Sequence, residues 1–95
     1  MEQRNEYIKK LEENIAVYDR KIDEMKAKAT GIKADLKAEY LVRLNCIENK
    51  RDNFVVKCEE LKDAKDQGWD DVKSGTDRAR NELEHSFGRA LSRFR

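Results

Sequence analysis

Cys46, Cys58 and His85 are the side chains of this 95-residue sequence suited to thiol, metal or imidazole chemistry. The cysteines are 12 residues apart. On one helix that is about 18 Å of rise and about 120° of rotation. The thiols could therefore meet only if the chain folds near Asp52 or two chains pack antiparallel about that point. A zinc site would need two further ligands nearby, and none is evident, so buried, unreactive thiols are expected and a redox or metal role is the lesser reading. His85 precedes Ser86, but neighbouring positions on a helix point in different directions. No serine-histidine-acid arrangement follows, and a solvated imidazole is expected.

Asp63, Asp66, Asp70 and Asp71 crowd around Gly68 and invite comparison with a calcium loop. Counted from Asp63, the third position is Lys65 and the twelfth is Ser74, where a calcium loop requires glutamate. Helix termination followed by acids near the next helix N-terminus accounts for the cluster better. The carboxylate pairs Glu12-Glu13, Asp23-Glu24 and Glu59-Glu60 sit beside Lys or Arg at helical distances and read as a solvated face. With no glycine-rich phosphate loop, the chain is expected to be a non-enzyme, without catalytic, cofactor-binding or metal-binding residues and with no small-molecule substrate.

From His85 to Arg95 the sequence changes character: Arg89, Arg93 and Arg95 occur without an acid, while Phe87, Leu91 and Phe94 share one helical face. Such a cationic amphipathic helix suits an anionic membrane surface. The competing reading packs its aromatic residues on another helix and lets the arginines complement the helix C-terminus. Trp69, Leu83, Phe87, Leu91, Phe94, Arg89, Arg93 and Arg95 are the residues of this membrane or partner face.

These groups must be positioned by helices. Charged residues make up 43% of the chain and apolar ones 38%, with no proline and four glycines; ordinary soluble domains carry about 25% charged residues and about 45–50% apolar. That composition excludes a thick core around a substrate pocket and argues against a many-stranded fold. The net charge of +1 and the interleaved signs give no basis for specific nucleic-acid binding. The polar start, Met1 to Glu6, resembles no signal peptide, and no stretch approaches the roughly 18 apolar residues of a spanning helix. A cytoplasmic protein is expected.

Ile8, Leu11, Ile15, Tyr18, Ile22, Met25, Ala29, Ile32 and Leu36 alternate in steps of 3 and 4, the a/d pattern of a coiled coil. The stripe continues through Tyr40, Leu44, Ile47, Arg51, Phe54, Cys58 and Leu61, with Arg51 weakening the seam at a core slot. Thr30-Gly31 could turn the chain between two helices, but the unbroken step from Ala29 to Ile32 favours continuity. A second bend is conceivable over Asn49–Asn53. The pattern predicts an all-α fold in a single domain: a long helix over 3–65, a break at 66–68, where Gly68 can end a helix, and an amphipathic helix over 69–95. The outcome is a helical hairpin or an oligomeric bundle.

Gly68-Trp69-Asp70-Asp71-Val72-Lys73-Ser74-Gly75, followed by Ala79, Leu83, Ser86-Phe87, Ala90 and Ser92-Arg93-Phe94, resembles the tail of small, largely uncharacterised bacterial coiled-coil proteins. The resemblance implies a helical architecture and, because some members are associated with stress responses, a stress-related setting; it carries over no catalytic residue.

A helix of about 60 residues spans about 90 Å, whereas 26 residues folded back span about 40 Å. Much of the stripe would remain in water unless a second chain covered it. A homo-oligomer is therefore expected, with antiparallel packing favoured by the charges flanking the seam. That seam comprises Ile8, Leu11, Ile15, Tyr18, Ile22, Met25, Ile32, Leu36, Tyr40, Leu44, Ile47, Phe54 and Leu61. The leading reading is a non-catalytic structural or interaction protein, and the alternative is a membrane-surface or protective protein acting through its C-terminal helix.

Overall fold

The heptad stripe is folded back on itself. A computed structural model describes residues 2–94 and contains, among them, three α-helices and no strand: α1 (Glu2–Lys28), α2 (Ala34–Asp63) and α3 (Trp69–Arg93). They form an up-down-up bundle measuring 51 × 18 × 18 Å. Antiparallel pairing of α1 with α2 is marked by Glu12–Lys62, Asp19–Arg51 and Lys26–Glu48. Lys50–Glu82 and Glu39–Arg93 mark the same relation between α2 and α3.

The continuous helix expected over 3–65 is thus two helices. A 3₁₀ turn over Ala29–Gly31 ends α1, and Ile32 (φ −78°, ψ 137°) and Lys33 (φ −58°, ψ 144°) are extended. No glycine there takes positive φ, so the break lies in those two extended residues. The 3-4 spacing runs through the turn because Ile32 packs against the end of the core, where a helical residue would also have put an apolar side chain. Tyr40 closes the corner: its hydroxyl donates to the Met25 carbonyl at 2.7 Å, one of the last carbonyls of α1, which lack a partner within the helix. The bend considered over Asn49–Asn53 is absent, and α2 runs straight through all three asparagines. The second break falls earlier than 66–68: α2 ends at Asp63, Ala64 and Lys65 are extended, and Asp66–Gly68 form a 3₁₀ turn whose Gly68 (φ −104°) leads into α3 rather than ending a helix in left-handed conformation.

At the opposite end Arg4 of α1 performs the matching task. Its guanidinium donates to the carbonyls of Leu61 and Ala64, where α2 ends, and to Asp66 at 3.1 Å. Trp69, the first residue of α3, packs edge-on to Tyr7 with ring centroids 5.9 Å apart. Arg4 and Lys73 lie over the Trp69 ring, and Lys73 also covers Tyr7. Asp70 and Asp71 occupy the first turn of α3, where negative charge complements the helix dipole. The Trp-Asp-Asp-Val-Lys segment therefore locks the α2–α3 turn onto the start of α1.

The core follows the predicted stripe. Leu11, Tyr18, Ile22 and Met25 of α1, Tyr40, Leu44, Ile47, Phe54, Cys58 and Leu61 of α2, and Ala79, Leu83, Phe87 and Ala90 of α3 are buried. Ile8, Ile15, Ile32 and Phe94 are half-buried against them, and Leu36 is half-buried. At the centre Tyr18 meets Phe54 edge-on and stacks on Phe87, both at 5.8 Å. Thr76, Ala79, Ser86 and Ala90 give α3 a face of mostly small buried residues, and Thr76 reaches the Lys57 carbonyl of α2 at 3.2 Å. Small side chains let two helices approach closely, and α2–α3 is the most extensive contact in the bundle.

Candidate functional site

Every residue of the expected self-association seam lies on the inward side of the bundle, in the core or at its edge. Within one chain α2 and α3 cover the stripe of α1, so its burial does not require a second chain. The flanking charges behave likewise: Glu12, Asp19 and Lys26 find Lys62, Arg51 and Glu48 of the same chain. Arg51 makes two hydrogen bonds to Asp19, at 2.7 and 3.0 Å, and this pairing holds its guanidinium more firmly protonated than usual.

The face proposed for a membrane or partner divides. Leu83 and Phe87 are in the core, while Trp69 and Phe94 are half-buried. Only Leu91, 55% exposed, presents a large apolar side chain to solvent. Arg95 lies outside the described residues. Arg89 and Arg93 are exposed and gather, with Arg43 of α2, around an open depression of about 780 Å³ that Asn81, Glu84, His85, Gly88 and Ser92 complete. Arg93 faces Glu39 at 2.9 Å.

Cys46 is exposed and Cys58 buried. Burial pushes the Cys58 thiol up to about 11, the condition of an inert thiol. His85 is exposed on α3. Among the described residues no three His, Cys, Asp or Glu side chains gather where they could hold a metal ion. The Tyr7 hydroxyl donates to Asp77 and the Tyr18 hydroxyl to Glu84, the latter at 2.5 Å. Burial and these carboxylates raise both phenols above the ordinary range. The two bonds tie α1 to α3.

One surface went unread in the sequence. Val42, Asn45, Cys46, Asn49, Asn53 and Val56 are all exposed on the outer side of α2, with Val42 68% and Val56 53% accessible. None is charged, in a chain where 43% of residues are. The signal was available: Val56 stands two residues from buried Phe54, about 200° round a helix, so an uncharged row at this phase faces away from the core.

The geometry defines a small three-helix bundle. Comparison of the chain with protein families, curated proteins and solved structures finds no match. No described helix is long and apolar enough to cross a membrane.

Proposed function

We propose that this chain is a non-catalytic interaction protein, a helical rod that associates with a second copy of itself through the outer face of α2. The supporting observation is a palindrome. Val42, Asn45, Asn49, Asn53 and Val56 lie at −7, −4, 0, +4 and +7 about Asn49, all exposed. A two-fold axis through Asn49 brings Val42 of one copy against Val56 of the other and Asn45 against Asn53. Asn49 meets itself, and a carboxamide, being both donor and acceptor, can pair with its own copy. Such self-matching is what an isologous interface requires. On the flank of the same arrangement, Lys57 of one copy comes beside Glu39 of the other. The antiparallel sense expected from the sequence is kept, on a different face.

The strip from Ala38 to Glu60 is about 33 Å long and one helix wide, about 10 Å. That puts the interface below about 1,200 Å², in the weak and transient class, so association is reversible in the micromolar range or above. The cytoplasmic, stress-related setting belongs to the proposal; its stress component rests on the resemblance of the Trp69 segment alone.

Light scattering after size-exclusion chromatography, across a dilution series, tests it. The native chain should pass from dimer to monomer on dilution, and Val42→Glu/Val56→Glu should be monomeric throughout with unchanged helicity. In a Cys46→Ser/Cys58→Ala background, Asn49→Cys should crosslink to itself on oxidation, while Asn45→Cys should crosslink to Asn53→Cys. A native chain still monomeric at several hundred micromolar would refute the reading.

A further inference from the structure

We propose that the depression over Gly88 is a binding site for a phosphate-bearing anion. Three guanidiniums line it, from Arg43, Arg89 and Arg93, against the one carboxylate of Glu84, which already accepts the Tyr18 hydroxyl. Glu39, beyond the rim, pairs with Arg93 at 2.9 Å and shares a neighbouring depression with Arg43 and Arg89. Among the described residues Arg43 and Arg89, like Arg20 and Arg78, have no ion pair or hydrogen bond, whereas Arg4, Arg51, Arg80 and Arg93 are paired; Arg43 and Arg89 are the two that share a depression. Arg43 Nε, like Glu39 Oε2 on the same helix, is buried without a hydrogen-bond partner. In a chain of net charge +1, unpaired positive charge gathered from two helices points to an absent negative one.

The surroundings suit a phosphate. A guanidinium offers a planar fork of donors that matches two phosphate oxygens, with charge-assisted hydrogen bonds. Asn81, His85 and Ser92 add polar groups around the rim. The floor at Gly88 is open, and a Cβ built there would meet nothing within 4 Å. The site is open to solvent and its flanking apolar residues Leu83 and Phe87 are in the core. It therefore recognises the anion by charge, without inserting an apolar face. The phosphate can belong to a free oligophosphate or to a lipid headgroup, and the experiment separates the two.

Pyrophosphate binding is measured by calorimetry at low salt, alongside co-sedimentation with phosphatidylcholine vesicles containing or lacking phosphatidic acid. Arg43→Gln/Arg89→Gln should weaken binding about tenfold or more. Lys9→Gln/Lys10→Gln removes the same charge from exposed positions elsewhere and should change it less than about twofold. Gly88→Glu, placing a carboxylate on the open floor, should abolish binding with helicity intact. Saturable pyrophosphate binding lost in the arginine variant assigns the site to free phosphates; vesicle binding alone, lost in the same variant, assigns it to a headgroup. Absence of binding to both probes at about millimolar concentration, or equal loss in the lysine control, overturns the proposal.

Discussion

Arg51 grips both carboxylate oxygens of Asp19, with Nε–Oδ1 at 2.7 Å and Nη2–Oδ2 at 3.0 Å, and so places a two-pronged ion pair where the stripe of α2 would otherwise carry an apolar residue. The side chains are 30% and 43% exposed, so water screens the pair. Asp19→Ala should cost about 0.5–1 kcal/mol in urea unfolding. The loss should shrink in about 1 M salt, whereas the cost of Phe54→Ala should not. A salt-independent Asp19 effect would mean that packing, rather than charge, holds this contact.

Leu83 and Leu91 look equivalent in the sequence of α3 but differ in burial, at 0% and 55% exposure. Leu83→Ala should cost about 2–5 kcal/mol, and Leu91→Ala less than about 0.5 kcal/mol. Leu11→Ala should destabilise as Leu83→Ala does, by an amount independent of protein concentration, because its partners belong to its own chain. A concentration-dependent Leu11 effect would return the seam to an intermolecular role.

Gly31 ends the turn between α1 and α2 with negative φ and open space around it. Gly31→Ala should therefore leave the hairpin intact and raise stability by about 0.4–1 kcal/mol, by restricting the unfolded chain. Circular dichroism and thermal melting would register either this gain or, against expectation, a loss of the bundle.

Cys46 should react with an aromatic disulfide reagent at the rate of an open thiol. Cys58, buried and with its pKa raised to about 11, should react only as the chain opens. Two equal fast phases in native protein would contradict the burial of Cys58 in the core.

Alkali should unfold the bundle early. Folding raises the Cys58 pKa from 9.0 to about 11 and lifts the phenols of Tyr7 and Tyr18 further above their ordinary 10.0. A group that holds its proton more tightly when folded contributes its full stability below the unfolded pKa and loses it as pH rises towards the folded one. Urea midpoints should therefore be level up to about pH 8 and fall from about pH 9 onward, first through Cys58 and then through the tyrosines. Tyr18→Phe should flatten the decline above about pH 10.

Helix type, the stripe of core residues, the break before Trp69 and the solvated carboxylate pairs were legible in the residues themselves, because each depends on spacing along a few turns. Burial of an apolar stripe is non-directional: the same spacing is satisfied by another chain or by the next segment of its own. Closing a short turn costs little, and Ile32 and Lys33 adopt extended backbone while Ile32 still fills its place against the core. For that reason the hairpin could not be told from a long helix by periodicity. The arginines of α3 were visible as a group, but Arg43 joins them from 46 residues before Arg89. Only the antiparallel packing of α2 on α3 decides which charges share a surface and that Leu83 and Phe87 turn inward, leaving the guanidiniums outside.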